Sequence, residues 1–425
     1  MNPREFLLGS FAAALSAADP LEIVPGHLPA PPKGRTLVVG AGKAAASMAK
    51  AVEDHWPAEA PLEGVVITRY GHGLPTQRIR VVEAGHPVPD EQGEAAAREI
   101  LAGAQALAPD DLLLVLVSGG GSSLLSLPVE GIPMADLKAV TRDLLASGAP
   151  IQDMNVVRKH LSRIQGGRLA LATRARVLAL VISDVTGDDP THIASGPCVA
   201  DPSTYGDALD ILRHFDVEAP ASIASHLRRG AEGAIAETPK PGDAALARVE
   251  NRVIATAHAS LATAGAFAQA RGVTPMVLGD SVTGEAREVA KVYAALARQV
   301  RQHGHPLKPP VALISGGECT VTLKGRGRGG RCSEFLLSLA IELDGMPEAW
   351  ALACDTDGID GSEDNAGALL GPESMRRARS LGLAPRTLLA QNDAYGFFAA
   401  LGDLVTTGPT RTNVNDFRLI LVRQP

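Results

Sequence analysis

Two apolar runs in this chain empty into Ser-Gly-Gly: VLVSGGGSS at 115–123 and ALISGGECT at 312–320. In the first, Ser118, Gly119, Gly120, Gly121, Ser122 and Ser123 follow the run LLLVLV. Consecutive glycines lose much backbone entropy on folding and offer no side chain to pack, so they call for a reason. A row of N–H groups flanked by hydroxyls supplies one, because it makes a nest for phosphate or carboxylate. The plainer alternative is a tight turn between strand and helix. The G-x-x-x-x-G-K-[ST] pattern is absent, so this is no P-loop. Ser118 precedes the glycines instead of sitting between them, which leaves serine-hydrolase chemistry a minor option.

A second glycine turn, VVGAGKAAAS, carries Gly40, Gly42 and Lys43. With Ala45 it fits the G-x-G-x-x-A outline of a dinucleotide turn between strand and helix. The next strand runs into Thr68, Arg69 and Tyr70, where no acid stands to hold a ribose diol, although Arg69 suits a 2′-phosphate. Lys43 is the more telling residue. A cation beside a helix N-terminus opposes the helix dipole unless an anion compensates it.

Carboxylates gather in ISDVTGDDPTHIASGP (182–197), which holds Asp184 at a strand end, then Asp188, Asp189 and His192. Oxygen ligands of this kind suit Mg²⁺, and an acid beside a substrate hydroxyl can act as a general base. His192 either polarises a substrate or caps the loop. KGRGRGGRCSEF sets Arg326, Arg328 and Arg331 among glycines, and guanidinium groups grip phosphate or carboxylate bidentately. CDTDGIDGSEDNAGA adds Asp355 and Asp357 at another strand end, without the ligand spacing of an EF-hand. Near the C-terminus, TTGPTRTNVNDF brings Thr410 and Asn413 into a polar turn fit for substrate or phosphate.

The elements that must hold these turns follow from the pattern. Short β-branched runs alternate with Ala- and Leu-rich stretches, the mark of βα units around a mostly parallel sheet. Strands are expected at 36–39, 65–68, 80–82, 112–117 and 177–182, with helices at 42–56, 90–107, 132–146 and 205–215. Glu237–Asp243, with two prolines and a glycine, reads as the linker between an N-terminal domain, 1–240, and a smaller α/β domain, 241–425. In the latter, helices are expected at 251–271 and 283–301, and strands at 311–314, 320–323, 351–354, 404–406 and 419–422. At 425 residues the chain is too long for one ordinary core, which also favours two domains.

Composition narrows the functions. A net charge of −7 and 3% aromatic residues argue against a nucleic-acid binder. Four widely spaced cysteines form neither a zinc motif nor a disulfide framework. Residues 6–18, FLLGSFAAALSAA, read as an amphipathic first helix and not as a secretory signal, and no longer apolar run suggests a membrane span. A cytoplasmic enzyme is the expectation.

Taken in order, VVGAGKAAASMA, EAGHPVPDE, VLVSGGGSSLL, NVVRKHLSRIQGGRLA, ISDVTGDDPTHIASGP, LISGGECTVTLKGRGRGGR, ACDTDGIDG and TTGPTRTNVNDFRLILV resemble the class II glycerate kinases along essentially the whole chain. That family also carries the name hydroxypyruvate reductase. The resemblance implies a Rossmann-like three-layer N-terminal domain, a smaller α/β C-terminal domain and an active site in the cleft between them. It implies transfer of a phosphoryl group from ATP to the 2-hydroxyl of D-glycerate with Mg²⁺ or another divalent cation, by a monomer or homodimer. Lys43 matches the family's functional lysine, and Arg328, with Arg331 beside it, the functional arginine. Asp189 joins them as a catalytic candidate, and Asp184, Asp355 and Asp357 are the metal candidates, although Asp184 and Asp189 are interchangeable at this level. Three positions depart from the family pattern: Cys332-Ser333 replaces Asn-Gln, Arg411 replaces glycine, and Asn365 stands where alanine is common. The rival reading is an NAD(P)H-dependent reductase of hydroxypyruvate or tartronate semialdehyde.

Overall fold

The computed structural model describes residues 1–424. The chain forms two compact units, Pro20–Ile254 and, together, Met1–Asp19 with Ala255–Pro425. This differs from the boundary expected at residue 240, and the packing explains why. The Pro- and Gly-bearing stretch at 237–243 is no free linker. Glu237 accepts the Tyr205 N–H at 2.9 Å, Thr238 donates to Asp201 at 3.1 Å, and the Pro239 carbonyl accepts the Asp201 N–H at 2.8 Å. The segment is therefore bound into the first unit. At the other end, helix Pro3–Ser16 buries Phe6, Leu7, Phe11 and Ala14 in one cluster with Leu261, Ala264, Phe417 and Leu419, so it belongs to the second. No single helix among the described residues is long and apolar enough to cross a membrane.

The first unit holds strands β1 (Thr36–Ala41), β2 (Leu62–Arg69), β3 (Ile79–Ala84), β4 (Leu112–Val117), β5 (Arg176–Ile182) and β6 (Val249–Ala255), in the order β3-β2-β1-β4-β5-β6. β1 pairs in parallel with β2 and β4, β2 with β3, and β4 with β5. Every residue of β1 and β4 is buried, as continuous apolar runs covered on both faces require. The sheet order reverses between β1 and β4, the place where open α/β sheets leave a crevice beyond the strand ends. Residues 251–255, expected to begin a helix, instead belong to β6, and the helix starts at Ala257. The β-branched VENRVIA run outweighs the helical pattern that follows it.

The second unit has β7 (Thr274–Gly279), β8 (Val311–Ser315), β9 (Ala349–Asp355), β10 (Gly367–Leu370), β11 (Leu404–Val405) and β12 (Asp416–Val422), in the order β11-β10-β9-β12-β8-β7. β12 runs antiparallel between β8 and β9 and brings Asp416 opposite Asp355. The stretch 320–323 is not a strand and makes a single bridge, Glu285 to Thr320. β7 and β10 lie outside the expected set, their cues weakened by Pro275 and by the short GALL run. All four cysteines are buried and unpaired, and burial pushes the Cys198 thiol up to about 12.

A buried ion pair ties the first unit together. Lys159 Nζ lies 2.7 Å from Asp201 Oδ1, and both side chains are buried. Burial works against the Asp201 charge, but Lys159 and the hydroxyl of Ser203 outweigh it and hold the carboxyl below its ordinary value. A depressed carboxyl contributes stability above the unfolded pKa of about 4, and that contribution disappears as pH falls through the folded value. Asp201→Asn is expected to destabilise the chain by about 3–5 kcal/mol at neutral pH, because Lys159 is left buried without its partner. In urea titrations the gap between the two proteins should narrow as the pH is lowered below about 4.

Candidate functional site

The glycine turn after β1 and the serine-glycine turn after β4 lock into each other. The Lys43 N–H donates to the Gly119 carbonyl at 2.8 Å, and the Ser118 N–H donates to the Ala41 carbonyl at 3.2 Å. Ser118 Oγ, fully buried, accepts the Ala44 N–H at 3.0 Å. Gly42 has a φ of +141° and packs directly on Ser118, where any β-carbon would overlap it. Gly40 lies within β1 against the Leu116 backbone. Ser118 and Gly40 are therefore framework, and the turn's own bonds use the Gly121 N–H as well. The N–H groups of Gly119, which is buried, and Gly120, which is half-buried, find no acceptor among the described residues, which leaves them as the unspent donors of the nest.

Gly120, with φ +81°, stands beside the side chains of His86 and Lys43. A β-carbon there would meet His86 Nε2 at 2.8 Å and Lys43 Cγ at 3.6 Å. The Lys43 side chain therefore runs alongside the turn that carries Gly120. His86 is a residue that pattern reading passed over, although it sits in EAGHPVPDE. Its neighbour Asp90 fixes that loop by accepting the Gly85 N–H at 2.8 Å, the Gly93 N–H at 3.0 Å and the Tyr70 hydroxyl at 2.7 Å.

The loop after β5 packs on the same turn. Ser195 Oγ lies 3.0 Å from Ser122 Oγ and 3.1 Å from Asn155 Oδ1, while Asn155 Nδ2 donates to the His192 carbonyl at 3.2 Å. Asp189 is exposed and accepts the Thr191 N–H at 2.9 Å. Its burial acts upward on the pKa, but the Thr191 bonds and the nearby His192 and Lys159 outweigh it, so the carboxylate stays ionised. Burial and the Lys159 charge hold His192 below the ordinary imidazole value, so it is neutral at pH 7. Asp184 lies in this loop, just past the end of β5. Ser123 Oγ donates to the Gly120 carbonyl at 3.1 Å, a bond internal to the turn.

In the second unit Arg331 is saturated. Its nitrogens lie 2.7 Å from Asp355, 2.7 Å from Asp416 and 2.8 Å from Glu318. Burial disfavours its charge, and these carboxylates more than restore it. Arg328 is different: exposed, 4.6 Å above the Tyr395 ring and 3.7 Å from Glu363, it is placed to receive an anion. Asp355 Oδ1 accepts the Asp357 N–H at 3.0 Å, and Asp357 Oδ1 accepts the Ile359 N–H at 2.8 Å. Thr410 donates its N–H to the Asp357 carbonyl at 3.1 Å and its hydroxyl to the Thr356 carbonyl at 2.5 Å. Asn413, buried, lies in the same turn, its Oδ1 3.4 Å from the Asn415 N–H. No group of three or more His, Cys, Asp or Glu residues fit to hold a metal ion occurs among the described residues. The acids present suit Mg²⁺ that arrives on phosphates and needs only one or two carboxylates.

The three departures from the family pattern have physical readings. Asp360, buried, accepts the Cys332 N–H at 2.9 Å, the Ser333 N–H at 2.8 Å and the Ser333 hydroxyl, so Ser333 closes the start of helix Arg331–Leu343. Burial still pushes the Asp360 carboxyl up. Asn365, buried, donates to the Gly367 carbonyl at 3.1 Å. Arg411 has a φ of +59°, and its Nε is buried without a partner.

Glycine-bearing turns at the ends of parallel strands, with a lysine and an unspent pair of N–H groups, define an α/β protein that binds small anions. A model described as a domain of unknown function (DUF4147) matches residues 6–228, and the MOFRL family model matches 311–416. A protein of Agrobacterium vitis named as a hydroxypyruvate reductase is 50% identical over 99% of this chain and 95% of its own length. The D-glycerate 2-kinase of Thermotoga maritima is 39% identical over 96% of each chain. The crystal structure of a glycerate kinase from Thermotoga maritima matches with a TM-score of 0.87 at 37% identity, covering 99% of each chain. The chain belongs to the class II glycerate kinase family, whose members also bear the name hydroxypyruvate reductase.

A left-handed backbone costs a non-glycine residue about 1–2 kcal/mol, while glycine loses about 0.5–1 kcal/mol more unfolded-state entropy. The first effect wins. Arg411→Gly is expected to raise stability by about 0.5–1 kcal/mol in chemical denaturation, and a loss of that size would mean that Arg411 makes a compensating contact.

Proposed function

We propose that this chain is an ATP-dependent kinase that phosphorylates the 2-hydroxyl of D-glycerate, giving 2-phospho-D-glycerate and ADP. Full-length likeness to proteins named glycerate 2-kinase supports the reading. The observation that carries it against the reductase alternative is local. In a dinucleotide fold the N–H groups opening the helix after β1 hold the pyrophosphate. Here the N–H groups of Lys43, Ala44 and Ala45 are bonded to Gly119, Ser118 and Gly42. The turn with the dinucleotide outline is filled by its neighbour, and the unspent donors belong to Gly119 and Gly120.

In this reading Lys43 neutralises charge on a transferring phosphoryl oxygen, the Gly119 and Gly120 N–H groups hold an anionic oxygen of the substrate pair, and Arg328 is the anion-binding candidate of the second unit. Asp189, ionised and exposed, accepts the proton of the 2-hydroxyl. A loose phosphoryl-transfer transition state asks little of that base, so its lowered pKa suffices. Mg²⁺ bound to the nucleotide would shield phosphate charge; the candidate carboxylates are Asp184 in the first unit and Asp355 and Asp357 in the second. Arg331, already spent on three carboxylates, orients Asp355 and Asp416 and does not itself reach phosphate.

The test is ATP-dependent phosphorylation of D-glycerate, with phosphorus NMR locating the ester. The expected product carries phosphate on the 2-oxygen. Product labelled only on the 3-oxygen, or NAD(P)H oxidation with hydroxypyruvate in place of ATP turnover, overturns the proposal. Lys43→Ala should lower kcat by roughly 10²- to 10³-fold with the fold intact, the usual loss for one preorganised charge-stabilising group.

A further inference from the structure

Helix Ile151–His160 ends in three bases, Arg158, Lys159 and His160, where the helix dipole favours positive charge. Two of them turn inward to carboxylates: Lys159 to Asp201 at 2.7 Å and His160 Nε2 to Glu237 at 3.3 Å. Arg158 does not. Among the described residues no carboxylate lies within 4.0 Å of it, and its one hydrogen bond is a 3.3 Å contact from NH1 to Asn155 Oδ1. A guanidinium carries five N–H donors, so most of them are unspent. Other well-buried cations are matched: Arg287 meets Glu334 at 2.7 Å and Arg418 meets Asp416 at 2.5 Å. Burial pulls the Arg158 pKa down to about 10, and no neighbouring carboxylate pushes it back.

Arg158 lines a narrow pocket with Ser122, Ser123, Ser126, Ser162 and Gln165. Ser162 Oγ already accepts the N–H groups of Ile164 at 3.2 Å and Gln165 at 3.1 Å, so its own proton is left to donate. Through Asn155 the guanidinium is coupled to Ser195 and the His192 carbonyl, and so to the serine-glycine turn and the loop after β5. A cation, a hydroxyl donor and no internal anion make a site built for an external one. The pocket has room for about one water, enough for a single anionic oxygen.

We propose that Arg158 binds the carboxylate of the hydroxy-acid substrate, with the Ser162 hydroxyl as its second donor. The identity of that acid as glycerate rests on the kinase reading; the carboxylate site itself does not, since hydroxypyruvate carries the same group. Calorimetric titration of wild type, Arg158→Lys and Arg158→Gln with D-glycerate, hydroxypyruvate, glycerol, inorganic phosphate and ATP tests it. The expected result is a rise in the Kd for D-glycerate of roughly 10- to 100-fold in both variants, the worth of a charge-assisted bidentate contact. Binding of ATP should change less than about twofold by the same arithmetic, and glycerol should bind wild type and variants alike. Circular dichroism melts should show the same midpoint for wild type and Arg158→Lys. An unchanged Kd for D-glycerate, an equal loss for ATP or phosphate, or a wild type that binds neither D-glycerate nor hydroxypyruvate overturns the proposal. A wild type that binds D-glycerate but does not phosphorylate it removes the kinase reading and leaves the Arg158 test standing.

Discussion

The level pairing of β1 with β4 is the constraint on which the first unit depends. Thr36 faces Leu112 and Ala41 faces Val117, so the two strands end together and their turns emerge side by side. Side chains alternate along a strand, and a slip of one residue would turn each buried run inside out. The turns then have no choice but to interlock: Lys43 to Gly119, Ser118 to Ala41, Ala44 to Ser118. Space is so short that Gly42 and Gly40 lie against the backbone of the neighbouring strand and its turn. After this interlock two N–H groups of the β4 turn stay uncommitted, with the Lys43 and His86 side chains beside them.

The second unit repeats the logic with side chains. Antiparallel β12 sets Asp416 against Asp355, two carboxylates that repel unless a cation separates them. Arg331 does so, while Arg418 takes the other oxygen of Asp416. Because burial makes each unpaired charge costly, the cluster holds only as a whole. That is why neighbouring arginines in one glycine-rich loop have different fates: Arg331 is consumed, and Arg328 is left facing solvent over Tyr395.

The strands of the first unit were legible because buried parallel strands are written as unbroken apolar runs, LLLVLV above all. The glycine turns were legible because three consecutive glycines have no packing use. The division of the chain was not. The prolines at 239 and 241 look like a linker, yet Asp201 and Tyr205 hold that segment in place, contacts made from more than thirty residues away. The first helix reads as amphipathic either way, and nothing local says that Phe11 will meet Phe417. Likewise the site's donors could be guessed as a group, but only the hydrogen-bond network separates Ser118, spent on Ala44, from Gly119 and Gly120. Arg158 was invisible for the converse reason: its meaning lies in a missing partner.

The same sheet order that signals dinucleotide binding therefore does not decide the chemistry here. Order fixes where a ligand can lie; the N–H groups left over fix what it can be. A dinucleotide needs the helix opening after β1, and in this chain Ser118 and Gly119 have taken it. The unspent donors lie one strand over, in the turn after β4, with the Lys43 side chain alongside. Charge that moves during phosphoryl transfer is met by such fixed donors and cations. The interlock of the two turns, and not the sheet order, is what sets this chain apart from a dinucleotide binder.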